Sequence, residues 1–271
     1  EAIWPIHLDP TTLSASWSKT GDSSTWFGRA VGGAGDVNND GYDDIIVGAW
    51  YYSSYTGRAY VFHGAASGPS STPAATLTGV TTNVNFGQSV DGAGDINNDG
   101  YDDVIVGAPS HNYSYGTAYI YYGSSSGIST TADDSYSGSS SGLSVGISVA
   151  GAGDVNKDGY DDVVIGAYGY ASYTGRAYVF HGSAAGIGAS PDTTLTGATS
   201  YLIFGQDVDG AGDVNGDGFS DVIVGAPQYN SDTGYVQIFH GSATGVSSTA
   251  AQTLNGAGPA ELFGYPVSGP G

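Results

Sequence analysis

Residues 35–49 read GDVNNDGYDDIIVGA, in which four aspartates and two asparagines run straight into a β-branched stretch. Like charges packed this closely repel, so something must offset the crowding. The stretch returns as GDINNDGYDDVIVGA from Gly94, GDVNKDGYDDVVIGA from Gly153 and GDVNGDGFSDVIVGA from Gly212, at a step of 59 residues. A second marker keeps the step: Phe27-Gly28, Phe86-Gly87, Val145-Gly146, Phe204-Gly205 and Phe263-Gly264. A third is AYVFHG at 59–64, AYIYYG at 118–123, AYVFHG at 177–182 and VQIFHG at 236–241. Three markers in register over four periods define an array of one supersecondary unit.

Each unit reads as four strands. The first follows the FG pair, as in FGQSVDGAG; the second is the run DDVIVGA; the third is the alternating GRAYVFHG; the fourth is a short TLTG-like piece, weaker near Ser135. No segment carries a helical period over 10 or more residues. Four antiparallel strands in a repeat of this length predict an all-β fold, a β-propeller with four complete blades at 27–79, 86–138, 145–197 and 204–256. Residues 1–26 hold one or two strands (IWPIHL, TTLSAS) suited to ring closure or pairing between subunits, 27–261 are the blades, and 262–271 begin an incomplete fifth blade, its first strand near Leu262 to Ser268. A fragment of a longer propeller, a small ring with an irregular last blade, and copies paired by their edges are all compatible with this pattern.

Composition narrows the function. The 271 residues carry a net charge of −21 with only 5 Lys plus Arg. Such a chain does not bind nucleic acid by counterion release and avoids anionic membranes, but it attracts cations. There is no cysteine or methionine, so disulfide and thiol chemistry are excluded. No apolar run approaches the length of a membrane span, and no signal peptide is visible.

The acidic stretch has the donor spacing of a metal loop. Counting from Asp36, side-chain oxygens fall at positions 1, 3, 5 and 9 (Asp36, Asn38, Asp40, Asp44), Gly41 allows a tight turn at 6, and Tyr42 offers its backbone carbonyl at 7. Six or seven oxygen ligands with water suit Ca²⁺ better than Mg²⁺, and the loop holds neither sulfur nor histidine for zinc or copper. An EF-hand needs a glutamate at position 12 and flanking helices; here that position is Val47, in a strand. A plain hairpin turn with Asx caps accounts for one or two of these residues, not for three carboxylates together.

The run FG, GAGD, acidic loop and IVGAP (Ile105 to Pro109, Ile223 to Pro227) resembles the FG-GAP repeat, which builds the propeller of integrin alpha subunits and of many secreted bacterial and fungal proteins. The resemblance covers about residues 27–268 and departs from the pattern at Val145, where looser packing is expected. It implies four calcium sites: Asp36, Asn38, Asp40, Tyr42, Asp44; Asp95, Asn97, Asp99, Tyr101, Asp103; Asp154, Asn156, Asp158, Tyr160, Asp162; and Asp213, Asn215, Asp217, Phe219, Asp221. Four Ca²⁺ would take the charge from −21 to −13. Asp43, Asp102 and Asp161 fall outside the ligand pattern and read as solvated loop charges.

Other signals are weaker. His63, His181 and His240 recur at one repeat position and read as packing residues; Arg58 and Arg176 share another and read as a salt link or a cation–π contact. G-x-S-x-G at 123–127 and 138–142 lies in Ser/Gly-rich loops with no helix to follow, so it is no nucleophile elbow, and no catalytic constellation is evident. Asn112-Tyr113-Ser114 is a lone sequon. The loops between second and third strands are tyrosine-rich and lie opposite the acidic loops. Tyr51, Tyr52, Tyr55, Tyr113, Tyr115, Tyr170 and Tyr173 are candidate platforms for an extracellular protein or glycan. The expectation is a non-enzymatic, calcium-stabilised propeller, secreted or at the cell surface, acting in adhesion or recognition. The alternatives are a structural subunit of an extracellular oligomer or filament joined by terminal strands, and a non-catalytic domain of a larger secreted enzyme.

Overall fold

The computed structural model describes residues 18–21 and 25–269. It contains four sheets of four antiparallel strands, each a simple meander. Blade 1 is β1 (Val31–Gly35), β2 (Asp44–Gly48), β3 (Arg58–Phe62) and β4 (Ala75–Thr78). Blade 2 is β5 (Ser89–Gly94), β6 (Asp103–Ala108), β7 (Thr117–Tyr121) and β8 (Asp134–Ser137). Blade 3 is β9 (Val149–Gly153), β10 (Asp162–Ala167), β11 (Arg176–Phe180) and β12 (Thr193–Thr196); blade 4 is β13 (Val208–Gly212), β14 (Asp221–Ala226), β15 (Tyr235–Phe239) and β16 (Gln252–Asn255). The only helical pieces among the described residues are single turns such as Tyr52–Tyr55, and those are broken by left-handed residues, Ser53 at φ 45° and Ser54 at φ 57°. The strands expected in IWPIHL and TTLSAS lie outside the described residues.

The first strand of each blade packs against the first strand of the next, β1 on β5, β5 on β9 and β9 on β13. The Gly-Ala-Gly run makes this possible, because a Cβ on Gly92 would stand 2.5 Å from the Gly33 carbonyl oxygen and one on Gly210 would stand 2.6 Å from that of Gly151. Farther out, the apolar faces meet in three cores, one between each pair of adjacent blades. The FG pair is the joint. Phe86 is fully buried in the core shared with blade 1 and bridges Gly57 of that blade in parallel. The carbonyl oxygen of Gly87 lies so close to Gly48 that a Cβ there would meet it at 2.1 Å. The FG of one blade thus abuts the VGA of its predecessor, backbone on backbone.

Two expectations need correcting. The Val145 joint is not loosely packed: Val145 is fully buried. Tyr136 stands where the other blades carry Leu77, Leu195 and Leu254 and packs against the same core, with its ring 4.8 Å from that of Phe180. Residues 262–269 form no strand: Phe263 makes one isolated bridge, to Gly234, because no second strand of a fifth blade stands beside it among the described residues. Among the described residues the outer face of blade 4 is more exposed than the equivalent faces of the other blades. Val214 is 50% exposed, Leu254 42% and Phe263 39%, where Val37, Leu77 and Phe204 are 0%.

Candidate functional site

The acidic loops join the first two strands of every blade, and a bulge launches each one. Between Gly33 and Gly35 the β1–β2 register slips, with Gly35 at φ 70°, so the chain kinks out of the sheet just before Asp36. Gly94, Gly153 and Gly212 repeat this at φ 68°, 65° and 63°. Within the loop the carboxylate of Asp36 accepts the amides of Asp40 (3.0 Å) and Gly41 (2.7 Å). Asn38 Oδ1 accepts Asp40 N at 3.0 Å, and Asp40 Oδ1 accepts Tyr42 N at 3.1 Å. Asp95, Asn97 and Asp99 repeat the pattern, as do Asp154, Asn156 and Asp158, and Asp213, Asn215 and Asp217.

Position 9 differs from the rest. Asp44, Asp103, Asp162 and Asp221 are buried. Asp44 accepts Val37 N at 3.1 Å and Gly64 N at 2.7 Å, clasping the loop to the end of the third strand, and the other three make the equivalent pairs. Burial raises the carboxyl of Asp44 above its ordinary value and pushes Asp103 and Asp162 up to about 7. Among the described residues no lysine or arginine pairs with these four.

The twenty loop residues thus lie in four equivalent loops. Among the described residues no three acidic or histidine side chains stand close enough, as placed, to hold an ion. Their oxygens point to backbone amides instead. The donor chemistry still fits a hard cation: every donor is oxygen, the side chains at positions 1, 3 and 5 reach solvent with lone pairs to spare, and position 9 holds a buried carboxylate with no lysine or arginine beside it among the described residues.

Asp102 and Asp161 are not solvated loop charges. Asp102 Oδ2 accepts the amide of Asp36 in the preceding blade at 2.7 Å, and Asp161 Oδ2 accepts that of Asp95 at 3.0 Å. Burial raises the Asp161 carboxyl above the usual range. Asp43, at the same position of the first loop, is exposed. The recurring histidines also pack between blades, His63 against Gly127 and His181 against Gly245, and His63 Nδ1 lies 3.2 Å from Asn38 Nδ2.

On the opposite side the tyrosines divide. Tyr52 and Tyr170 lie beneath the guanidinium groups of Arg58 (3.6 Å) and Arg176 (3.3 Å), as buttresses rather than platforms. Tyr51 and Tyr55 meet at 4.4 Å with their rings tilted by 58°, and they join Trp26 and Trp50 in one aromatic cluster, with Arg29 lying 5.5 Å from the Trp26 ring. Tyr173 stacks between Tyr168 and Tyr201, at 6.1 and 6.4 Å. Tyr113 is 88% exposed, with no ring partner among the described residues, and Tyr115 is half-buried.

Trp26 and Trp50 line a cavity of 680 Å³ together with Arg29, Gln88, Asp91, Gln206, Asp207, Asp209 and Tyr265. Burial and the nearby charge of Asp209 push Asp91 up to about 7. Asp207 is held by Ser148 Oγ at 3.0 Å and Val267 N at 2.6 Å. Sequence reasoning passed over these residues. The signal was present at and just before the first strand: Arg29, Gln88 and Gln206 share one repeat position one or two residues ahead of β1, β5 and β13, and Asp91 and Asp209 share another inside β5 and β13, where β1 and β9 carry Gly32 and Ala150.

The FG-GAP repeat family model matches residues 27–62, 86–121, 145–180 and 204–239, just over half of the chain. The chain belongs to the FG-GAP repeat family. This FG-GAP propeller is 34% identical over 204 residues to integrin alpha pat-2 of Caenorhabditis briggsae, a match covering 66% of the chain and 16% of that protein. It is 31% identical over 194 residues to integrin alpha-5 of Xenopus laevis, covering 65% and 18%, and 38% identical over 160 residues to integrin alpha-IIb of Mus musculus, covering 54% and 15%. The propeller thus spans less than a fifth of the length of these relatives. A solved structure described as the Dos1 propeller superposes with a TM-score of 0.44 at 11% identity, over 80% of this chain and 45% of that one. Among the described residues no helix is long and apolar enough to cross a membrane.

Proposed function

We propose that the FG-GAP propeller is a calcium-stabilised extracellular recognition module, non-catalytic, with one face built for ions and the other for a ligand. The observation that carries the reading is the fourfold return of one all-oxygen loop, each closing on a buried aspartate that no lysine or arginine pairs with among the described residues. Positions 1, 3, 5, 7 and 9 of each loop are the ligands, from Asp36, Asn38, Asp40, the Tyr42 carbonyl and Asp44 in the first to Asp213, Asn215, Asp217, the Phe219 carbonyl and Asp221 in the last. Bound Ca²⁺ supplies a countercharge to the buried carboxylate. The chain's own part is to hold the loop: the bulge glycine launches it, the position 9 aspartate clasps it to the third strand, and Asx turns curl it.

On the other face the aromatic cluster of Trp26, Trp50, Tyr51 and Tyr55 borders a cavity lined by carboxylate and amide side chains. That pairing suits a ligand with both apolar faces and hydrogen-bonding groups, as glycans and polar peptide segments have. A second reading, self-association, draws on the more exposed outer face of blade 4; sedimentation that gives a monomer at all concentrations rules it out.

Chelation tests the calcium half. At about 2 mM Ca²⁺ and dissociation constants of about 10⁻⁴ to 10⁻³ M, each loop contributes about 0.6 to 1.8 kcal/mol, so four contribute about 2.5 to 7 kcal/mol. EDTA should lower the melting temperature by several degrees and Ca²⁺, but not Na⁺, should restore it. A melt indifferent to both refutes the assignment.

A further inference from the structure

In the second, third and fourth loops the eighth residue lies between two proposed ligands, the position 7 carbonyl and the position 9 carboxylate, yet bonds to the preceding blade's loop as well as belonging to its own. Asp102 grips Asp36 from both sides, its Oδ2 accepting Asp36 N at 2.7 Å and its own amide donating to Asp36 O at 3.3 Å. Asp161 does the same to Asp95, at 3.0 and 3.3 Å. Asp36 and Asp95 are the first ligands of their loops. The bulge glycines are needed for this grip, since a Cβ on Gly35 or Gly94 would stand 2.2 Å from the Asp102 or Asp161 carboxylate oxygen.

The third joint keeps half of the device. Ser220 replaces the aspartate; its amide donates to Asp154 O at 3.1 Å, but among the described residues no carboxylate reaches Asp154 N. The hydroxyl lies over Gly153 instead, 2.6 Å from where a Cβ would stand. One chain thus contains two charge-assisted joints and one neutral joint in otherwise equivalent settings.

We propose that Asp102 and Asp161 couple the ion loops of blades 1, 2 and 3, so that occupancy of one loop raises the affinity of its neighbour; this rests on the calcium reading above. Ion binding orders positions 7 and 9 of a loop and so fixes position 8 between them. A fixed position 8 carboxylate holds the backbone of the preceding loop's first ligand, which then has less freedom to lose when its own ion arrives. A cation in the preceding loop also relieves the repulsion between Asp36 and Asp102, or Asp95 and Asp161, which favours the same direction. Coupling is reciprocal by linkage. Between blades 3 and 4, where Ser220 stands, it is weak.

The test is calorimetric Ca²⁺ titration of the chelated 271-residue protein, with amide hydrogen exchange at Asp36, Asp95 and Asp154 as a readout independent of the ion. The wild type should bind about four ions with a Hill slope above one and a coupling of about fivefold between neighbouring loops. In the ion-free protein the Asp36 and Asp95 amides should exchange more slowly than that of Asp154. Asp102→Ser with Asp161→Ser, which makes every joint like the third, should bring the slope to about one and release both amides. Ser220→Asp, which adds a carboxylate and so does not depend on a weakened variant folding, should steepen the titration and slow the Asp154 amide. Four ions bound with a slope that none of these substitutions changes refutes the coupling while leaving the calcium sites standing. No ion bound by the wild type refutes the calcium reading and the coupling with it; exchange at Asp36 unaffected by Asp102→Ser refutes the grip itself.

Discussion

Phe204 and Phe263 occupy the same repeat position, so truncating each to alanine isolates what burial contributes at a blade joint. Phe204 is 0% exposed in the core between blades 3 and 4, with its ring 6.2 Å from Phe239. Phe204→Ala removes the transfer free energy of a buried phenyl and leaves a cavity walled by both blades, a loss of about 3 to 5 kcal/mol. Phe263 makes the same bridge, to Gly234, but is 39% exposed and has no blade beyond it among the described residues. Complete burial of a Phe side chain is worth about 1.5 to 3 kcal/mol, and the part of Phe263 that is covered retains about 1 to 2 kcal/mol of that. No closed cavity forms at an open edge, so Phe263→Ala should cost no more than this. The difference of about 2 kcal/mol should separate the urea midpoints by about 1 M at an m-value of about 2 kcal/mol/M. Tryptophan fluorescence and far-UV circular dichroism should be followed together, since a repeat array can unfold in steps. Equal losses from the two substitutions would show that the FG phenylalanine acts through its own blade rather than by plugging the blade before it.

Three further predictions concern other parts of the molecule. Gly175 and Gly142 both sit at φ 81°, but a Cβ on Gly175 meets the Phe204 carbonyl oxygen at 2.0 Å whereas one on Gly142 meets nothing within 4 Å. Gly142→Ala should cost about 1 to 2 kcal/mol for the left-handed backbone alone, and Gly175→Ala distinctly more, by thermal melting. Asp91 has its carboxyl raised to about 7 by burial and by Asp209, so the folded protein holds that proton more tightly than the unfolded chain does. Its contribution is present below pH 4 and is lost as pH rises through 7; stability should fall between about pH 4 and 7 and level off above, and Asp91→Asn should reduce the slope. On a glycan array, binding that weakens at least tenfold in Trp26→Ala or Trp50→Ala but not in Tyr113→Ala would place recognition at the cavity; loss with Tyr113→Ala alone would move it to the rim.

The linear chain determined the repeat, the strand order and the chemistry of the loops. A period of 59 residues with β-branched runs between glycine turns admits few folds other than an array of antiparallel blades, and Asp36, Asn38, Asp40 and Asp44 declare their oxygens by spacing alone. Those features are local, so they are legible in one blade at a time. What lay between blades was not. Asp102 looks like one more exposed acid until blade 2 is set beside blade 1 and its carboxylate meets Asp36 N, 66 residues away. Val145 looks like a weakened joint until Tyr136 is seen packed against the same core. Seven tyrosines looked alike, but Arg58 and Arg176 claimed two of them, while Trp26 and Trp50 gathered Tyr51 and Tyr55 at a cavity lined by polar residues of several blades. Period and spacing follow from one-dimensional order; which charge is satisfied and which ring is covered depends on neighbours that only the stacking of blades brings within reach.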